Sequence, residues 1–135
     1  MYRSTGIARY SPKAARESFT KVSSKWWMIL DTCQGLADYY RYWWNQNNKA
    51  IGPKLAKCGW TSHITIIRDE EPKHKELWAK YTGEEIEFTY MPVVEGNGNY
   101  FWINVSCDRA LEIREELGLP QQLVYPLHIS IGKAI

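Results

Sequence analysis

One short strand pattern occurs twice in the chain, as HITI at residues 63–66 and as HISI at residues 128–131. Both copies are rich in β-branched residues, which favours strands. Residues two positions apart on a strand point to the same face. The pattern therefore predicts two strands that each bury a pair of isoleucines and present, on the opposite face, an imidazole beside a hydroxyl group.

The remaining sequence predicts strands and helices in alternation. Runs of apolar residues, helical spacing, capping residues and turn residues indicate these elements. They are a strand over 25–31, a hairpin around 86–90 and 101–105, and helices over 12–21, 35–48, 72–81 and 108–117. Residues 1–10 carry no clear pattern. The helical spacing of Tyr39, Tyr40 and Trp43 predicts that they lie in the core.

This order predicts an α+β fold, with helices packed on an antiparallel or mixed sheet. The length of 135 residues fits a single domain over residues 1–135. A strand–helix–strand segment ends in HITI, and a second one ends in HISI. This repeat predicts two related lobes that face each other.

Charge and cysteine content restrict the classes of function. The chain has 17 Lys and Arg against 15 Asp and Glu, a net charge of +2, which does not favour coating of duplex nucleic acid but suits a small anionic substrate. The three cysteines lack a C-x-x-C pair, which predicts buried reduced thiols rather than a disulfide framework or a zinc site. No signal-peptide core or membrane-length apolar run is present, so we expect a cytoplasmic protein with no membrane partner. The oligomeric state is not indicated.

The repeated motif suggests acid–base chemistry if the two strands lie together. A neutral histidine can accept a proton from a ribose 2′-OH or water, while a protonated one donates to the leaving oxygen, since imidazole has a pKa of about 6.5. His63 and His128 are the candidates, and Thr65 and Ser130 are candidates for hydrogen bonds to the phosphoryl oxygens. This chemistry requires neither a metal nor another cofactor. His74 lies in a charged segment, KHKE, and is expected to be exposed and inert.

Three aromatic residues are candidates for substrate binding. The chain contains seven Trp and nine Tyr, and aromatic rings stack on nucleobases as well as filling cores. Tyr10 lies in the segment without a pattern and could cover the site, whereas Trp60 and Tyr125 each precede a motif by three residues. Each also has a plain interpretation as a core or surface residue. Lys133 lies on the strand face opposite His128, which disfavours a phosphate contact.

These motifs resemble the signature of the 2H phosphoesterases, two H-x-[TS] motifs with apolar flanks in a bilobal α+β fold of this size. The resemblance covers most of the chain by element order and is specific at HITI and HISIG. It implies catalytic roles for His63, Thr65, His128 and Ser130, with Ser in place of Thr in the second motif.

Within that family, the segments KWWMILD, DYYRYWW and GWTSHITIIR look most like the phage anti-CBASS phosphodiesterases. That likeness implies cleavage of 3′–5′ bonds in cyclic di- or trinucleotide signals by attack of a 2′-OH, in the cytoplasm of a host cell. Two alternatives stay open at this point. One is a phosphodiesterase for RNA ends or 2′,5′-oligonucleotides, and the other is a non-catalytic module that binds RNA or nucleotides.

Overall fold

The structure, a computed structural model, describes residues 1–14 and 25–135. These described residues form seven strands, two α-helices and one 3₁₀ helix. The strands are β1 (Tyr2–Tyr10), β2 (Trp27–Asp31), β3 (Leu55–Ala56), β4 (His63–Arg68), β5 (Glu85–Gly96), β6 (Tyr100–Ser106) and β7 (His128–Ala134). The helices are α1 (Gln34–Asn47), the 3₁₀ helix (Lys75–Tyr81) and α2 (Asp108–Glu116). Among these described residues, no helix is both long and apolar enough to cross a bilayer.

All pairings between these strands are antiparallel. The order is β3-β7-β4-β2-β1-β5-β6, and β6 also pairs with β7, so six of the strands close into a ring. The short β3 adds to β7 at the side of the ring. The α+β class predicted from the sequence is therefore confirmed, and the sheet proves antiparallel rather than mixed.

The chain repeats one topological unit. Residues 2–68 form β1-β2-α1-β4 with β3 inserted, and residues 85–134 form β5-β6-α2-β7. In each unit the second strand lies between the first and the last. The two units join through β1 with β5 and β4 with β7. Each unit thus ends in one copy of the motif, and the last strands of both units are neighbours.

One face of the ring and the inward sides of both helices form a single apolar core. Isoleucines at alternate positions of the motif strands, Ile64, Ile66, Ile129 and Ile131, are fully buried there. Full burial of an isoleucine stabilises a fold by about 1.5–3 kcal/mol. Because these residues fix which face of each motif strand is covered, they also fix the opposite face as the one that carries the histidines.

A buried arginine ties the end of the first motif strand to α2. Arg114 is 1% exposed and makes two hydrogen bonds of 2.8 Å to the carboxylate of Glu70. Its guanidinium also donates to the backbone oxygens of Ile66, at 3.0 Å, and Pro120, at 2.7 Å. The charge is thereby fully paired, as a buried cation requires.

Several sequence expectations need correction. β1 was not predicted, and Ser11 to Ala14 are not helical, while the rest of the helix expected over 12–21 lies outside the described residues. The helix expected over 72–81 is a 3₁₀ helix that begins at Lys75. A 3₁₀ turn is a common form of a short connector.

Burial also differs from expectation at two places. Of the aromatic residues predicted in the core on α1, Tyr40 is 9% exposed, but Tyr39 is 59% and Trp43 43% exposed. Cys107 is buried as expected, whereas Cys33 is exposed. Tyr39 and Trp43 lie on the outer side of α1, and Cys33 lies just before its first residue. Neither helical spacing nor composition can predict which side of a helix faces the sheet at these positions.

Candidate active site

The two motifs lie on neighbouring strands, β4 and β7, which meet at Ile64 and Ile129. Each of these isoleucines is the second residue of its motif. An antiparallel pair that meets at equivalent positions relates the two motifs by a local two-fold axis, so their flanking residues come together in matching pairs. Both isoleucines face the core, and the histidines and hydroxyls therefore share the opposite face.

Ile64 and Ile129 are the pair in register between these strands. Continued by one residue in each antiparallel direction, this register places His63 on the side of Ser130 and Thr65 on the side of His128. All four side chains are half-buried. The structure thus brings together the four residues that the motifs single out, as two imidazoles and two hydroxyls on one surface patch.

Both imidazoles are held in the same way by their own strands. The Nδ1 of His63 bonds to the backbone oxygen of Thr61 at 2.6 Å, and the Nδ1 of His128 bonds to that of Pro126 at 2.9 Å. A carbonyl oxygen only accepts, so Nδ1 carries the proton in each bond. Nε2 is therefore the nitrogen that each ring keeps for a ligand, and the backbone bond fixes the ring orientation.

The two histidines have different electrostatic surroundings. Burial lowers the pKa of His63 below its usual 6.5, and the positive charge of a protonated His128 lowers this pKa further. The bond to the Thr61 oxygen acts in the opposite direction. His63 is thus favoured as the neutral imidazole of the pair.

Trp27 contacts both functional groups of the first motif. Its Nε1 donates a hydrogen bond of 3.1 Å to the Thr65 hydroxyl oxygen, and its ring centre is 5.8 Å from that of His63, in an edge-on arrangement. The indole is 1% exposed. It is packed between the guanidinium of Arg68, 4.1 Å from the ring centre, and the edge-on ring of Trp60 at 5.3 Å.

The residues opposite the motifs were not singled out by the sequence. β2 places Asp31 opposite His63, and β6 places Asn104 opposite His128 and Trp102 opposite Ser130. The Trp102 ring lies 6.1 Å from the His128 ring. The two halves of the site thus differ in charge, with a carboxylate beside the first histidine and an amide beside the second.

A cavity of about 390 Å³ adjoins the patch on the side of His63. Its lining includes Asp31, which pairs with His63, and Ile29, which pairs with Thr65. The other lining residues are Arg9, Tyr10, Ser11, Lys13 and Thr82. Two cations and one carboxylate thus border a space next to the first motif.

Of the three predicted substrate-binding residues, Tyr10 is half-buried and packs against the core. It ends β1, its hydroxyl donates to the backbone oxygen of Trp78, and its ring packs on the Trp78 ring with 5.1 Å between centres. These contacts hold its ring against Trp78, and the residue also borders the cavity.

The other two lie next to residues that contact the motif histidines. Trp60 is half-buried and reaches the first motif through Trp27. Tyr125 is 76% exposed and lies one residue before Pro126, the carbonyl partner of His128. Lys133 is exposed and its ammonium lies 5.9 Å from the Tyr100 ring. His74 is exposed as expected and lies near Glu76, at 3.8 Å.

Within residues 1–14 and 25–135, no three His, Cys, Asp or Glu side chains lie close enough together to hold a metal ion. Comparison with protein-family models, with curated proteins and with solved structures gave no match. Two imidazoles with free Nε2 atoms and two hydroxyls can move two protons and bind an anionic oxygen.

Proposed function

We propose that this chain is a metal-independent phosphodiesterase of the 2H type, which cleaves 3′–5′ bonds in cyclic oligonucleotide signals. The observation that carries the proposal is the antiparallel pairing of the two motif strands, β4 and β7, at the second residue of each motif, Ile64 and Ile129. A binding module has no need of two imidazoles whose Nδ1 atoms are both fixed and whose Nε2 atoms share one patch. An acid–base enzyme needs both.

The proposed reaction begins at a ribose 2′-OH beside the scissile phosphate. Nε2 of His63 accepts the hydroxyl proton while O2′ bonds to phosphorus, and Nε2–H of His128 donates a proton to the departing 5′ oxygen. The P–O5′ bond breaks and leaves a 2′,3′-cyclic phosphate and a 5′-hydroxyl. Thr65 and Ser130 donate hydrogen bonds to the non-bridging oxygens, where negative charge increases. Proton exchange with water then restores both histidines.

The burial of His63 supports its role as the base. A base must be neutral before the reaction, and burial with a nearby cationic His128 lowers the pKa of His63. The opposite assignment would require the more buried imidazole to carry the charge, which burial disfavours.

The repeated unit supports a two-lobed arrangement of the 2H kind. Each β-β-α-β unit ends in its own motif strand, and the local two-fold axis passes between those strands. Trp60, Trp102 and Tyr125 lie around the patch and are suited to stacking on bases, which contributes about 1–3 kcal/mol per base. A substrate with several bases and phosphates would use both the rings and the cavity beside His63.

The test is a substrate panel in EDTA, with products identified by mass. The panel contains cyclic di- and trinucleotides and linear 2′,5′- and 3′,5′-linked oligomers. We expect opening of at least one cyclic 3′–5′ substrate and no loss of rate in EDTA. Cleavage confined to linear 2′,5′-oligomers or RNA ends would favour those enzymes of the family instead, and binding without turnover would favour a nucleotide-binding module.

Matched variants define the histidine roles in that assay. His63→Ala and His128→Ala should each reduce the rate by about 10²–10⁴, the usual contribution of general acid–base groups. His74→Ala removes an exposed histidine that belongs to neither motif and should leave the rate unchanged. A near-normal rate in either motif variant would contradict the mechanism.

A further inference from the structure

We infer that the cavity beside His63 is a subsite for a second phosphate of the substrate, with Arg9 as its principal anchor. The inference rests on the proposed function and extends it, because it requires a substrate with at least two phosphates.

The position of Arg9 relative to the first motif supports the subsite. Arg9 on β1 lies opposite Ile29 on β2, and Ile29 lies opposite Thr65 on β4. Arg9 and Thr65 therefore lie in one row across three neighbouring strands. Strands are spaced by about 4.8 Å, which puts the backbone of Arg9 about 10 Å from that of Thr65. Opposed residues share a face, so the arginine side chain emerges on the side of the sheet that carries the histidines.

The hydrogen bonding of the Arg9 guanidinium also supports the subsite. Arg9 Nε donates to the carboxylate of Asp31 at 3.1 Å, and among the described residues its two Nη nitrogens have no partner. The side chain is 50% exposed and Asp31 28%. The Asp31 carboxylate thus fixes the orientation of the Arg9 guanidinium and leaves its two Nη nitrogens for a ligand. A planar edge of this kind binds phosphate through two parallel hydrogen bonds.

The charges in the cavity lining favour an anionic ligand. Arg9 and Lys13 give the lining two cations against the single carboxylate of Asp31. A cavity of about 390 Å³ with that balance favours an anion. Lys13 is exposed, and its own backbone oxygen accepts from Thr61 N at 2.8 Å, which anchors the loop beside the first motif.

The experiment measures binding and does not require turnover. The ligands are two 2′-deoxy dinucleotides that lack the nucleophile: d(ApA), with one phosphate, and d(pApA), with an additional 5′-phosphate. We expect the wild-type protein to bind d(pApA) at least tenfold more tightly, as hydrogen bonds between charged groups allow. Arg9→Met should remove this gain and leave the affinity for d(ApA) nearly unchanged, while Arg9→Lys should keep part of it.

Arg3→Met is the matched control. Arg3 lies on the same face of β1 as Arg9, six residues away, which is about 20 Å along a strand. The Arg3→Met substitution removes the same charge outside the cavity lining, so the tenfold gain in affinity for d(pApA) should persist. A gain that survives in Arg9→Met, a gain lost equally in Arg3→Met, or no gain in the wild-type protein would each overturn the subsite.

The outcomes separate the two proposals. If the gain depends on Arg9 but no ribonucleotide of the panel is cleaved, the subsite stands and the proposed reaction fails. If cyclic ribonucleotides are cleaved but the second phosphate adds no affinity, the reaction stands and the subsite fails.

Discussion

The indole of Trp27 donates a hydrogen bond to the hydroxyl oxygen of Thr65 at 3.1 Å, from a position that is 1% exposed. The hydroxyl oxygen accepts this bond, so its own proton must point elsewhere, and the open side is the patch with the histidines. Trp27 is therefore a positioning residue for Thr65. Its ring also contacts His63 edge-on.

Trp27→Phe keeps a ring but removes the donor. We expect kcat to fall about two- to tenfold, as loss of one hydrogen bond implies, with little change in KM. If Trp27 acts through the hydroxyl, Trp27→Phe should cause no further loss in a Thr65→Ala background. Trp26→Phe is the control, because Trp26 packs edge-on against Trp78 rather than against the motif. Independent losses in the double variant would show that Trp27 has a purely structural effect.

The lowered pKa of His63 affects stability as well as activity. In the unfolded chain this histidine titrates near 6.5, whereas in the folded protein burial holds its pKa lower. As the pH falls through 6.5, the unfolded state binds a proton that the folded state does not, and stability decreases until the folded pKa is reached. Above about pH 7 the residue has no such effect.

The measurement is the free energy of unfolding in urea at pH 7.5 and 5.5, for the wild-type protein and His63→Gln. The wild-type protein should lose more stability between these two values than the variant, because the variant has no titrating ring at this site. His74→Gln serves as the control for an exposed histidine. An equal loss in the wild-type protein and His63→Gln would contradict a buried neutral imidazole.

The local part of the site could be predicted from the sequence, and the long-range part could not. Alternation within HITI and HISI identifies the face of each histidine because strand geometry is local. The partners Asp31, Asn104 and Trp102 depend on which strands become neighbours, and local periodicity does not carry that information. Their positions follow only once the closed ring is known.

The missed first strand has a compositional cause. The core-facing positions of β1 include Gly6 and Ala8, both buried, and small residues give little hydrophobic alternation. A Cβ atom on Gly6 would lie 2.7 Å from the side chain of Leu30. Close packing against β2 therefore requires small residues on β1, and these small residues hide the alternating pattern that would predict a strand. For the same reason, the sequence does not indicate that Tyr10 ends this strand.

The buried arginine that holds the first motif strand makes a separate prediction. Arg114→Leu leaves the carboxylate of Glu70 and the backbone oxygens of Ile66 and Pro120 without their donor. Loss of one member of a buried ion pair costs about 3–5 kcal/mol. Glu70→Gln should cost less, because an amide oxygen still accepts and Glu70 is 36% exposed. Urea unfolding of both variants checks this order, which would be reversed if the carboxylate were the main stabilising partner.

The nucleophile separates the proposed reaction from simple hydrolysis. Attack by a 2′-OH requires a ribose at the scissile position, because that hydroxyl is already held near phosphorus and needs only a base, an acid and donors to the phosphoryl oxygens. His63, His128, Thr65 and Ser130 supply these groups. A cyclic dinucleotide that is cleaved in its ribose form should therefore bind and stay intact when both sugars are 2′-deoxy. The first product from the ribose form should carry a 2′,3′-cyclic phosphate, visible by mass before any later hydrolysis. Cleavage of the deoxy ring at a comparable rate would mean that water attacks phosphorus directly, with His63 activating the water instead of the sugar.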